Sequence, residues 1–197
     1  MWRGLTVLAL VMLCSGEALA QMQAAHNFAS GIQACEGCHG PRGNSVDGSI
    51  PRLNGQHTDY IVSRVGRLLD LPKRPAGPEV SRLATKRDAA ALASIARYFA
   101  AQPPSPRNPG RLAEAGRRIY ENGDPTHFVT ACKSCHGPAG EGQGAIPRLA
   151  AGQHVNYLER QLGLFGSGLR ENRMMHFNTL NLSDAEIDAL ASYLGGG

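Results

Sequence analysis

The feature that most constrains this chain is a five-residue pattern that occurs twice, as Cys35-Glu-Gly-Cys38-His39 and as Cys132-Lys-Ser-Cys135-His136. Two thiols at i and i+3 fall on one side of a helical turn, where they can form thioether bonds to the two vinyl groups of one haem. The histidine that follows lies under the iron and supplies its proximal nitrogen. Zinc sites and thiol redox enzymes also use C-x-x-C. A zinc site built from both pairs would leave each histidine without a role, and no run alternates β-branched residues as thioredoxin-like strands do. Two disulfides would make the histidine after each second cysteine a coincidence. The pattern therefore predicts two covalently bound haem c groups, attached at Cys35, Cys38, Cys132 and Cys135, with His39 and His136 as iron ligands.

The repeat extends beyond the cysteines. Cys35 and Cys132 are 97 residues apart, and Ile50-Pro-Arg-Leu53 and Gly55-Gln-His57 with Tyr60 return as Ile146-Pro-Arg-Leu149 and Gly152-Gln-His154 with Tyr157. Duplication at an offset of 96 or 97 residues throughout means two copies of one structural unit. Between them lies Pro103-Pro-Ser-Pro-Arg-Asn-Pro-Gly110, four prolines in eight residues, which cannot be helical and acts as a semi-rigid spacer. The expected organisation is a cleaved signal peptide over 1–20, a first domain over 21–102, a linker over 103–110 and a second domain over 111–197.

Each domain reads as all-α. Ala25, Phe28, Ala29 and Ile32 follow helical spacing before the first motif, as do Leu112, Ala115, Gly116, Ile119 and Tyr120 before the second. A glycine-rich loop, the Ile-Pro-Arg-Leu segment and a helix near Tyr60 or Tyr157 come next. Each half closes on a last helix, through Leu92, Ile95, Ala96 and Phe99 or through Ile187, Leu190, Ala191 and Leu194. Ser183-Asp-Ala-Glu186 opens the second of these with a capping box. Domains this small have thin cores and need a staple, which a covalent haem provides.

The chain begins with Arg3, an apolar run from Leu5 to Leu13, and Ala18-Leu19-Ala20 before Gln21, the form of a cleavable secretory signal. The run is too short to span a bilayer, and Cys14 falls within the segment to be removed. The expected destination is an oxidising extracytoplasmic space, the bacterial periplasm. A net charge of +4 with no basic run suits an acidic protein partner or peripheral contact with a membrane surface rather than nucleic acid.

The two halves differ in what can close the iron from the far side. Asn172-Arg-Met-Met-His176 is expected in a loop before the last helix, where Met174 or Met175 could supply a thioether; chemistry alone does not separate them. Residues 40–102 contain no methionine, and the matching loop, Leu71 to Val80, places valine or proline there. The other candidates are His57, His26, Lys73 and Lys86. His57 has a twin, His154, in the half that already has methionines, so both read as structural. A lysine would first have to lose its proton, from a pKa near 10.4. The leading expectation is an open or weakly ligated iron in the first half.

Signal, two C-x-x-C-H domains, Gly-Pro-x-Gly after each motif, the Pro-x-Leu-x-Gly-Gln segment and Met-Met before a Leu-Ser-Asp helix together resemble the di-haem cytochrome c4 family. The likeness covers the whole chain after the signal and is most specific from Ala115-Gly-Arg-Arg-Ile-Tyr120 through Gln161-Leu162. It implies two tandem class I cytochrome c domains, Met175 as the axial ligand of the second haem, and Pro51 and Pro147 offering their carbonyls to His39 and His136. It also implies electron transfer between a quinol-oxidising complex or dehydrogenase and a terminal oxidase, with no catalytic residues. The missing methionine departs from the family pattern. An open first iron would instead suit a small-ligand sensor or a haem enzyme.

Overall fold

The computed structural model describes residues 3–69 and 89–196. They form eight α-helices: α1 (Arg3–His39), α2 (Thr58–Leu69), α3 (Ala89–Ala100), α4 (Ala113–Asn122), α5 (Lys133–His136), α6 (Val155–Gly166), α7 (Arg173–Thr179) and α8 (Asp184–Leu194). Among the described residues the only β pairings are two isolated bridges, so the all-α expectation holds. The Leu71–Val80 loop, Lys73 and Lys86 lie outside the described residues.

Each half builds a core from its first and last helices. In the first, Phe28, Ile32 and Cys35 of α1 pack against Ile95, Ala96 and Phe99 of α3 and Ile61 of α2. These α1 residues are separated by four and three positions, so they share one face. Tyr98 meets Phe28 and Phe99 edge-on, with ring centroids 6.4 Å and 5.0 Å away. Ala25 and Ala29, expected on the core face, are exposed, whereas Phe28 and Ile32 of the same helix reach the core. The helix is unbroken through Ala20, the expected cleavage point. No helix among the described residues is long and apolar enough to cross a membrane.

In the second half, Tyr120 of α4, Leu158 of α6, and Leu190, Ala191 and Leu194 of α8 form the core. The α4–α8 crossing is tight because position 116 is glycine: a Cβ there would run into the Ala189 carbonyl. Leu112, expected on this helix's apolar face, precedes α4 and is exposed. Ser183 and Glu186 make the capping box at the start of α8 as expected.

The halves differ before the haem motif. Cys35–His39 forms the last turn of α1, whereas α4 stops at Gly123, whose N–H bonds the Ile119 carbonyl at 2.8 Å. The chain then makes a short turn over Pro125–His127, capped by the Asp124 side chain, before Cys132–His136 starts a helical turn of its own. The Met-Met segment is also helical rather than loop. Asn172 accepts from Met175 N–H and so caps the seven-residue α7.

Residues 103–110 carry no helix and are held by both halves. Asn54 Nδ2 donates to the Pro103 carbonyl at 2.8 Å, while Asn108 N–H and Gly110 N–H donate to the Gly195 and Ser192 carbonyls. The two Gly-Gln-His segments lie beneath this strap. Gly55 and Gly152 have φ of +69° and +59°, and a Cβ would collide with Pro104 at the first and with the Ser105 and Pro106 carbonyls at the second. That is why glycine precedes the glutamine in both copies.

Candidate functional site

The two C-x-x-C-H motifs present the same chemistry in two settings. None of the four motif cysteines is in a disulfide; Cys35 and Cys132 are partly buried and Cys38 and Cys135 exposed. Burial pushes the Cys35 and Cys132 thiols up to about 11.

Both histidines are held by one ring nitrogen. His39 Nδ1 lies 2.7 Å from the Pro51 carbonyl and His136 Nδ1 lies 3.4 Å from the Pro147 carbonyl. A carbonyl can only accept, so Nδ1 carries the proton and Nε2 keeps its lone pair for a metal. Burial lowers the pKa of both rings, opposed by these hydrogen bonds, and so favours the neutral imidazole that ligates. The contact is the shorter of the two in the first half.

The donor set fits a haem at each motif. Two free thiols lie on one helical turn, with an oriented imidazole beside them. Arg148 Nε, on the residue after Pro147, is buried with no hydrogen-bond partner among the described residues. A buried cation donor of this kind suits an anionic group such as a haem propionate.

Helix α7 turns its two methionines differently. Met175 is partly buried, whereas Met174 is 63% exposed, in a cleft shared with Arg67 and Phe177. His176 points elsewhere, with Nδ1 2.8 Å from the Phe165 carbonyl. In the first half His26 is exposed on α1. His57, weighed as a sixth ligand, is instead engaged across the molecule, with Nε2 2.7 Å from the Glu141 carbonyl.

His57 belongs to a set of contacts that the sequence did not foretell. His154 Nε2 reaches Ser45 Oγ at 2.9 Å and the Ser45 carbonyl at 3.0 Å. Gln56 pairs with Arg148 and Gln153 with Arg52, so each Gly-Gln-His segment binds the Ile-Pro-Arg-Leu segment of the other half. The one signal in the sequence was a pair of polar side chains repeated at equivalent positions beside a core helix. The same face gathers cations. Arg170 Nη2 donates to Tyr60 OH at 3.0 Å, and Arg64 has its pKa lowered by burial and by the nearby Arg170.

The cytochrome c family profile matches residues 113–196. A cytochrome c4 of Thiocapsa roseopersicina is 38% identical over 182 residues, which covers 88% of this chain and 91% of that protein. A protein of Thiomonas intermedia (strain K12) named thiosulfate dehydrogenase electron acceptor is 31% identical, over 82% of this chain and 77% of its own. Among solved structures, the cytochrome c4 of Acidithiobacillus ferrooxidans superposes with a TM-score of 0.72 at 31% identity, covering 82% of this chain and 98% of that one.

Two helical units, each with a C-x-x-C-H turn and a proline-bonded histidine, define a tandem class I cytochrome c, a di-haem electron-transfer protein. The chain belongs to the cytochrome c4 family. It carries two covalently bound haem c groups, and it is an electron carrier rather than an enzyme.

Proposed function

We propose that this cytochrome works in the periplasm, after removal of residues 1–20, and passes electrons from a respiratory complex or dehydrogenase to a terminal acceptor. In this reading the two units are residues 21–102 and 111–197, joined by 103–110. Cys35 and Cys38 attach the first haem and Cys132 and Cys135 the second. His39 and His136 bind iron through Nε2, Pro51 and Pro147 orient those rings, and Met175 closes the second iron. Each bound haem, cycling between ferric and ferrous, holds one electron.

The observation that carries the reading is the reciprocal set of contacts between Gly-Gln-His and Ile-Pro-Arg-Leu segments. It fixes the segment that orients one histidine against the unit that carries the other. Two one-electron sites held in this way make a short path through one chain. The net charge of +4 suits an acidic docking face on the partner. A dehydrogenase as donor is supported by the relative named as an electron acceptor of thiosulfate dehydrogenase.

One fact favours a second reading for the first haem: residues 40–102 contain no methionine. With His57 engaged at the Glu141 carbonyl and His26 on the surface, an iron there that is open on one side would bind a small neutral ligand. The experiment is anaerobic reduction of the holoprotein by thiosulfate dehydrogenase and thiosulfate, followed optically with and without carbon monoxide. Reduction of both haems supports the carrier, and no reduction rules out that donor class. Carbon monoxide changing one haem's spectrum supports an open first iron, whereas two indifferent haems sink it.

A further inference from the structure

The peptide group that follows each proline is held from both sides. At Pro51–Arg52 the carbonyl faces His39 Nδ1 at 2.7 Å, and the N–H donates to Gln153 Oε1 at 2.9 Å. At Pro147–Arg148 the carbonyl faces His136 Nδ1 at 3.4 Å, and the N–H donates to Gln56 Oε1 at 2.8 Å. In both cases the glutamine comes from the other half of the chain.

Each glutamine is itself fixed. Gln153 Nε2 donates to the Arg52 carbonyl at 3.1 Å and Gln56 Nε2 to the Arg148 carbonyl at 3.0 Å. Each Oε1 also accepts the N–H of the next residue, His154 at 3.1 Å and His57 at 2.9 Å. Both side chains are buried, at 9% and 7% exposure, so water does not compete for these bonds.

We propose that Gln153 and Gln56 are positioning residues for the iron ligands of the opposite halves, Gln153 acting on His39 and Gln56 on His136. The carbonyl and N–H of one peptide share a conjugated system, so an N–H that donates leaves its carbonyl oxygen more negative. Hydrogen bonds linked in this way strengthen one another by roughly 10–30% each. A more negative carbonyl draws the Nδ1 proton toward itself and makes the imidazole a stronger donor to iron. A stronger donor favours ferric over ferrous iron and lowers the reduction potential. Each haem's potential thus depends on a side chain in the other unit. The inference rests on His39 and His136 being the ligands.

The test uses the holoprotein with Gln153→Leu and Gln56→Leu made singly, and reads both midpoint potentials by spectroelectrochemical titration. His39→Gly and His136→Gly assign each spectrum to its haem. The expected result is crossed: Gln153→Leu raises the first haem's potential more than the second's, and Gln56→Leu does the reverse. Equal shifts, no shift, or a shift confined to the variant's own half overturns the proposal. Because leucine could part the two halves, Gln153→Glu is measured as well. It keeps an acceptor for the Arg52 N–H and strengthens it with charge, so the first haem's potential falls; a rise or no change overturns the proposal. If His39→Gly leaves both haem spectra unaltered, the ligand reading itself fails. A failure of the crossed pattern with intact ligand effects removes only the role of the glutamines.

Discussion

Gln56 and Arg148 exchange two hydrogen bonds across the molecule, Arg148 N–H to Gln56 Oε1 at 2.8 Å and Gln56 Nε2 to the Arg148 carbonyl at 3.0 Å. Gln153 and Arg52 make the same exchange at 2.9 Å and 3.1 Å. The duplicated sequence has thus produced an approximate two-fold axis inside one chain. A buried hydrogen bond contributes about 1 kcal/mol net, while losing one partner costs about 1–3 kcal/mol. The junction is therefore expensive to open at any single point.

Met175 and Met174 separate on burial, and substitution separates them on function. Met175→Ala is expected to remove the far-red absorption band that a methionine sulfur gives ferric haem, and to lower the second haem's potential. Met174→Ala, at a side chain 63% exposed, leaves the spectrum unchanged and shifts stability by no more than about 0.5 kcal/mol. Optical spectra of the two oxidised variants decide it, and a lost band in Met174→Ala would reverse the assignment.

Gly116 sets how closely α4 approaches α8. Gly116→Ala forces a methyl against the Ala189 carbonyl and is expected to destabilise the second half by about 1–3 kcal/mol. Denaturant unfolding of the holoprotein measures it, with the second haem's absorbance as the local probe. An unchanged midpoint would mean that the two helices are free to move apart.

The helices and the repeat were legible because both are written in local spacing. Phe28 and Ile32 fall on one helical face, and Ile50-Pro-Arg-Leu53 has a visible copy. What the sequence could not display was the meeting of the copies. A repeat reveals which parts each unit has and says nothing of which faces join, so His57 and His154 read only as residues near helix starts. Ala25 and Ala29 have helical spacing, yet both are exposed while Phe28 and Ile32 reach the core. Asn172 caps α7, and this single side-chain bond makes a helix of the Met-Met segment where its sequence suggests a loop. The Leu71–Val80 loop and both candidate lysines fall outside the described residues.

His154 gives the junction a pH dependence. Burial, with Arg52 nearby, lowers its pKa below the ordinary value, so the folded state favours the neutral ring. The unfolded chain takes up a proton near pH 6.5 while the folded chain does not. The neutral ring's contribution is therefore complete above about pH 6.5 and is lost as pH falls below it. Chemical unfolding at pH 7.5 and 5.0, compared with His154→Gln, checks the sign: the variant loses less stability than the parent over this interval. An equal loss in both proteins would show that His154 does not titrate on unfolding.

As a pair of one-electron carriers in a single chain, the two C-x-x-C-H sites must each take up an electron. A coulometric reductive titration of the mature holoprotein, followed in the visible haem bands, tests it directly. The expected result is two electrons taken up per chain, in two steps that belong to spectrally distinct haems. Uptake of a single electron per chain, with one haem's bands unmoved at every potential, would contradict it.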